Sequence, residues 1–154
     1  VYYSNRGKFL EQTIVEDLPR YPFGAGLARW GMMASYFGEE NVAGREGLWA
    51  ELQWTGWLFD GGLPLIIAYI VALALAFRTI WEISREPDPP GYEGLGVWGM
   101  VLLGYIVGIV ALMFSYPVFM SQTGLEFWLL TTLLFAVAAK AHPYLFNPDN
   151  RNLF

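Results

Sequence analysis

The sequence predicts an all-α membrane protein in which three transmembrane helices follow a long extramembrane segment. Apolar residues make up 55% of the 154 residues and charged residues only 15%. Almost no charge falls within three stretches of about 18 residues, which is long enough for a helix to cross the hydrocarbon of a bilayer. Aromatic residues reach 18% and gather near the ends of these stretches, as they do at membrane–water interfaces.

The first predicted span covers residues 63–80 and reads LPLIIAYIVALALAFRTI. Pro64 lies in its first turn, where the missing N–H costs least. The Asp-Gly-Gly stretch at 60–62 predicts the start of this helix. Trp81 and Arg85 follow the span, as expected where a helix leaves the hydrocarbon.

The second and third spans are predicted over residues 97–114 and 125–141. A loop with three prolines separates the first span from the second, which indicates irregular structure there. The turn before the third span is short, so the last two helices should be antiparallel neighbours. Pro143 ends the third helix, and residues 143–154 form a polar tail.

Residues 1–60 form the extramembrane or interfacial part, and residues 61–142 form the three-helix transmembrane unit. Within the first part, apolar residues recur at near-helical spacing over 27–37 and again over 48–54. Both patterns predict short amphipathic helices that lie on the membrane surface or against the bundle. Helices this short need lipid or protein to cover them.

The distribution of cationic residues predicts the orientation. Arg78, Arg85, Lys140 and Arg151 all fall on the side of the first loop and the C-terminus, whereas the loop at 115–124 has no Lys or Arg. We therefore expect a bacterial inner-membrane protein with a periplasmic N-terminal segment and a cytoplasmic C-terminus.

Charge and composition exclude several functions. The net charge is −5 and the Lys and Arg residues are scattered singly, so a nucleic acid is not an expected partner. The chain has no cysteine, which removes thiolate metal sites and cysteine nucleophiles. No charge lies in the middle of a span, which argues against a proton relay or ion path within this chain.

Small residues of the second span form the candidate helix-packing face: Gly99, Gly104, Gly108 and Ala111. Such a face lets helix backbones approach closely inside a membrane, either within the same unit or against another chain. The motif G-x-G-x-x-G at 94–99 has the same interpretation. It opens a predicted transmembrane helix rather than following a strand, so it does not indicate a nucleotide site.

The tryptophans are interpreted as interfacial anchors. They are Trp30, Trp49, Trp54, Trp57, Trp81, Trp98 and Trp128. These aromatic belts leave open a bound lipid, quinone or pigment, although the sequence identifies no cofactor. His142 is the single histidine and the candidate ligand for a pigment or metal, but no second ligand lies at helical spacing. We favour a solvated interfacial histidine there.

Two passages carry a resemblance to a known family: YPFGAGLARWGMMASYFGEE, followed by LWAELQWTGWLFDGGLPLIIAYIVAL. They resemble the C-terminal part of the O-antigen ligase and polymerase-like membrane proteins, with Glu51 to Gly56 before a late transmembrane helix. The later SYPVFMSQTGLEFWLLTTLLFAVAA is similar to the last membrane pair of that family. The resemblance implies transfer of a lipid-linked glycan on the periplasmic face. Where the family carries a His-Asn pair, this chain has Arg45-Glu46, so no catalytic residue is assigned.

These observations predict a non-catalytic accessory subunit of a larger membrane complex of photosynthetic or respiratory type, bound to lipid and to other membrane subunits. The alternative is the C-terminal piece of a ligase or polymerase-like enzyme. The sequence begins at Val1 without a signal-like apolar run, so we expect a removed leader or the end of something longer. A transporter component would need polar groups within the spans or a broken helix, and we expect neither.

Overall fold

The computed structural model describes residues 8–27 and 52–146. Every regular element in these two ranges is a helix. Three of the helices are long and apolar enough to cross a membrane. The predicted class is therefore confirmed, and the chain is a multi-pass all-α membrane protein. The predicted amphipathic helices over 27–37 and 48–54 lie almost entirely outside the described residues.

The helices agree with the predicted spans to within a few residues, apart from the first, which begins ten residues early. In chain order the elements are α1 (Lys8–Gln12), a π-helical turn (Thr13–Asp17), α2 (Leu18–Arg20), α3 (Gln53–Arg85), α4 (Leu95–Leu112), a 3-10 turn (Val118–Met120), α5 (Gln122–Ala141) and α6 (Pro143–Phe146).

Helix α3 is two helices joined at a break. Gly62 has φ +61° and ψ −156°, a conformation that is not helical and that is essentially confined to glycine. The second part restarts at Leu63 with Pro64 in its first turn, which is the predicted start of the span. The break lies before the predicted span, and the helix that runs from Gln53 up to the break was not part of that prediction.

The chain forms two compact units. Among the described residues, the first contains 8–27, 52–71 and 110–120, and the second contains 72–109 and 121–146. Buried apolar side chains from α3, α4 and α5 form the core of the second unit: Ile80, Ile83, Leu95, Leu102, Leu103, Leu134 and Ala138.

Helices α4 and α5 are neighbours within the second unit. The Tyr105 hydroxyl donates a hydrogen bond to the Thr123 carbonyl oxygen at 3.3 Å, and the Tyr105 and Phe127 ring centroids lie 6.1 Å apart. The later part of α4 therefore lies beside the first turns of α5, as the short predicted turn requires of an antiparallel pair.

The helical segment over residues 8–20 was not predicted from the sequence. Its buried side chains are the polar Thr13 and Asp17, whereas Ile14 and Val15 are exposed. A prediction from apolar periodicity would therefore place the exposed Ile14 and Val15 on the buried face of this segment.

Candidate functional site

A short segment from the N-terminal region is hydrogen-bonded to the break in α3. We call this segment the strap (residues 21–26, YPFGAG). Three main-chain hydrogen bonds join the strap to the break. Ala25 N–H donates to Phe59 O at 2.7 Å, Gly26 N–H donates to Asp60 O at 3.1 Å, and Leu63 N–H donates to Pro22 O at 3.1 Å. We call this contact the junction.

The junction satisfies groups that a broken helix would otherwise leave unpaired. In a continuous helix, Leu63 N–H would donate to Phe59 O, four residues earlier. Here the strap accepts from Leu63 and donates to Phe59 instead. Since an unpaired main-chain group is costly away from water, the strap supplies the partners that allow α3 to break at this point.

Two glycines make this backbone approach sterically feasible. Gly24 (φ +89°) and Gly62 (φ +61°) both have left-handed backbone conformations. A Cβ at Gly24 would collide with the main chain of Asp60 and Gly61, and one at Gly62 would collide with the Pro22 carbonyl and the Gly24 amide. Both positions therefore require glycine for conformation and for space.

An aromatic cluster lies in the same unit as the junction. Trp57 stacks on Tyr69 with ring centroids 4.0 Å apart and on Phe119 with centroids 5.4 Å apart. Trp54 meets Trp57 edge to face at 5.8 Å and lies 5.7 Å from Phe114. Trp57 is only 5% exposed, so this predicted anchor is a packing residue of the unit rather than a surface aromatic.

Gln53 begins α3 and is fully buried beside this cluster. Its side-chain Oε1 accepts a hydrogen bond from Phe119 N–H at 2.9 Å, and its main-chain N–H donates to Met113 O at 3.2 Å. Both partners lie in the turn after α4, so a single glutamine ties that turn to the start of α3. Among the described residues, Gln53 Nε2 and Trp54 Nε1 have no hydrogen-bond partner.

His142 belongs to a polar cluster in the second unit. The Tyr144 hydroxyl donates to Glu86 Oε2 at 2.9 Å and lies 3.3 Å from His142 Nδ1. His142 is 5% exposed, so the expectation of a solvated histidine was wrong: Tyr144 packs edge to face on its ring. Burial, together with the hydrogen bond to Glu86, raises the pKa of Tyr144.

Asp88 organises the loop before α4. Its two side-chain oxygens accept hydrogen bonds from Gly94 N–H at 2.7 Å and Gly96 N–H at 2.9 Å. These donors are among the main-chain amides left free at a helix N-terminus. The N–H groups of Gly96 and then Gly94 lower the pKa of Asp88, because they stabilise its ionised form.

These polar groups do not assemble into a metal centre. Within the part of the chain that the structure describes, no three His, Asp or Glu side chains come together with the spacing of metal ligands. His142 Nδ1 lies near the Tyr144 hydroxyl, which itself contacts Glu86, and His142 Nε2 has no partner among the described residues. Through Tyr144, the cluster joins the residues after α5 to the residue that follows α3.

The candidate packing face divides into two parts. Gly99 is buried, and a Cβ there would lie 3.0 Å from Ser84 Cβ and 3.1 Å from Ser84 Cα, so it allows α3 and α4 to approach closely. At Gly104 and Gly108 no described atom lies within 4 Å of the position of an added Cβ, and Ala111 is exposed.

Of the other predicted anchors, Trp81 and Trp98 are exposed and Trp128 is partly buried. Trp81 also lies beneath the guanidinium group of Arg85, 5.7 Å from its ring centroid. Trp30 and Trp49 fall outside the described residues.

Sequence reasoning missed the strap and Gln53. The Gly-x-Gly of the strap and the Gly-Gly of the break are both visible in the sequence. Nothing in the spacing of these glycines, however, indicates that the two segments bind each other.

Comparison with models of known protein families gives no match, and neither do comparisons with curated proteins and with solved structures.

Proposed function

We propose that the chain is a non-catalytic, structural part of a larger membrane protein assembly, bound to lipid and to further membrane subunits. The observation that carries the proposal is the open glycine face of α4. Gly104, Gly108 and Ala111 expose backbone on a helix that is apolar throughout. A surface of this kind suits close packing against another transmembrane helix.

The proposed host is a membrane complex of photosynthetic or respiratory type in the bacterial inner membrane, with the N-terminal segment periplasmic. The role fits the polar chemistry of the described residues, in which buried groups tie elements together. Gln53 and the strap each join segments that are distant in sequence. A bound lipid, quinone or pigment would lie against the exposed aromatic residues, among them Trp81 and Trp98.

The junction favours a second candidate, the C-terminal module of an O-antigen ligase or polymerase-like enzyme that transfers lipid-linked glycan. The strap and the break at 60–62 both belong to the passages that resemble this family. Their direct contact supports interpreting them as one local unit, the end of an external loop seated on a late transmembrane helix. The catalytic groups would then belong to other helices of the enzyme.

Native gel separation of gently solubilised membranes, with mass spectrometry of the band that contains these peptides, separates the two candidates. A large band with a fixed set of other membrane subunits supports the accessory role. Peptides that continue the same polypeptide through many further spans support the ligase-like enzyme. Migration as an isolated three-span protein overturns both.

A matched set of substitutions tests the glycine face itself. Because no described atom lies close to Gly104 or Gly108, the double variant Gly104→Leu/Gly108→Leu should keep its helix content. It should no longer migrate in the large band of the native gel. Leu133→Phe adds bulk at an exposed apolar position of α5 and should stay in the band. If the glycine variant also stays, the face is not the assembly surface.

A further inference from the structure

The strap presents an apolar surface to its surroundings. Phe23 is 82% exposed and Leu27, the residue after the strap, is 78% exposed. No charged residue occurs from Tyr21 to Leu27. Large apolar side chains this exposed within one short uncharged segment mark a candidate contact site for lipid or protein.

The junction fixes where this surface lies relative to the membrane. Pro22 accepts a hydrogen bond from Leu63, the first residue of the membrane-spanning part of α3. Phe23 is therefore held within about one helical turn of the point where the span begins. Leu63 and Ile67, in the first turns of the span, are themselves exposed apolar residues, so the helix beside the strap also presents apolar side chains.

The length of the span places this point at the membrane–water boundary. From Leu63 to Trp81 there are 18 residue steps, or about 27 Å of helix, which is close to the thickness of the hydrocarbon. Trp81, with the Arg85 guanidinium over its ring, is the kind of aromatic–cationic pair found at a membrane–water boundary. Leu63 then lies at the near boundary, and the strap lies at the level of the lipid headgroups.

The residues next to the exposed surface are also of types that are common at the membrane–water interface. Arg20 lies over the ring of Tyr21, 5.4 Å from its centroid. A cationic residue paired with an aromatic one is typical of the headgroup region. The Tyr21 ring also packs edge to face on Phe59, with ring centroids 5.9 Å apart, which holds the pair against α3.

From these observations we propose that the strap is a lipid anchor: Phe23 and Leu27 insert into the headgroup–acyl boundary of the bilayer. The junction transmits this position to α3, so the extramembrane segment is attached to the membrane at the start of the first span. The occupant of the exposed surface is lipid, rather than a second protein or water.

Spin labelling tests this directly, because the chain has no cysteine. Phe23→Cys and Leu27→Cys are labelled in protein reconstituted into phosphatidylcholine vesicles, and the accessibility of each label to oxygen and to a water-soluble nickel complex is measured. Ile67→Cys, an exposed position one turn into the span, is the lipid reference. Pro90→Cys, exposed in the loop before α4, is the aqueous reference.

We expect oxygen to reach the labels at Phe23 and Leu27 more readily than the nickel complex does, as at Ile67. Accessibility like that at Pro90 would show that the strap faces water and would overturn the proposal. Labels that neither reagent reaches would show that protein covers the strap, which also overturns it. Because both native side chains are exposed, the substitutions should leave the helix content unchanged, and circular dichroism checks this.

Discussion

The carbonyl oxygen of Pro22 occupies the space in which a side chain at Gly62 would begin. The same oxygen accepts the hydrogen bond from Leu63 N–H that restarts α3 after its break. The absence of a Cβ at Gly62 therefore permits the backbone conformation, the close packing and the hydrogen bond at this point. The strap and the broken helix stabilise each other, since neither satisfies its own main-chain groups alone.

The first prediction concerns Gly62→Ala. The backbone conformation alone costs a non-glycine residue about 1–3 kcal/mol, and the collision with Pro22 adds to that. We expect the thermal midpoint in detergent to fall and hydrogen exchange at the Ala25 amide to accelerate as the strap is displaced.

Gly91→Ala is the matched control for this substitution. Gly91 also has a positive φ of +86°, but no described atom lies within 4 Å of the position of its Cβ. It should therefore show only the conformational cost, about 1–2 kcal/mol, with no change at Ala25. Equal effects of the two substitutions would mean that the strap does not depend on close contact with Gly62.

The second prediction concerns Gln53→Leu. The substitution removes the acceptor of the partly buried Phe119 N–H, and an unsatisfied buried donor costs up to about 1–3 kcal/mol. Loss of the unpartnered Gln53 Nε2 offsets part of that cost. The turn after α4 should loosen, which hydrogen exchange at Phe119 reports alongside unfolding in mixed micelles.

Gln122→Leu provides the comparison, because Gln122 is exposed at the start of α5. A surface change of this kind should alter the free energy of unfolding by less than about 0.5 kcal/mol. If Gln53→Leu changes the free energy of unfolding equally little, the Gln53 side chain does not stabilise the turn after α4.

The sequence predicts the spans well because their signal is local. A charge-free apolar run of sufficient length needs a membrane whatever surrounds it, and Gly-Gly-x-Pro at 61–64 is a local signal for a helix start. These features do not depend on which segments meet in space.

The strap could not be predicted because main-chain hydrogen bonds carry no side-chain signature. The His142 cluster shows the same limit, since Tyr144 is near His142 in sequence but Glu86 is the residue that follows α3. The helical segment at 8–20 escaped notice for a related reason. It buries Thr13 and Asp17, so its periodicity is not an apolar one.

The third prediction concerns pH and Asp88. Its pKa is lowered in the folded protein because its carboxylate accepts from Gly96 and Gly94. The stability that it contributes is therefore fully present above the ordinary aspartate pKa of about 4 and is lost as the pH falls through the lowered folded value. Wild-type protein should lose part of its thermal stability over this acidic window.

Two variants separate the charge of Asp88 from its capping role. Asp88→Ser keeps a hydroxyl acceptor at the start of α4 but cannot titrate. It should therefore retain part of the neutral-pH stability, and its thermal midpoint should fall less steeply at acidic pH. Asp88→Ala removes the acceptor as well, so it should be the least stable near neutral pH. Thermal midpoints measured from pH 7 down to the acidic limit compare the three proteins. A thermal midpoint that falls equally steeply at acidic pH in wild type and in Asp88→Ser would assign the pH dependence to other carboxylates, because Asp88→Ser has no titrating group at this position.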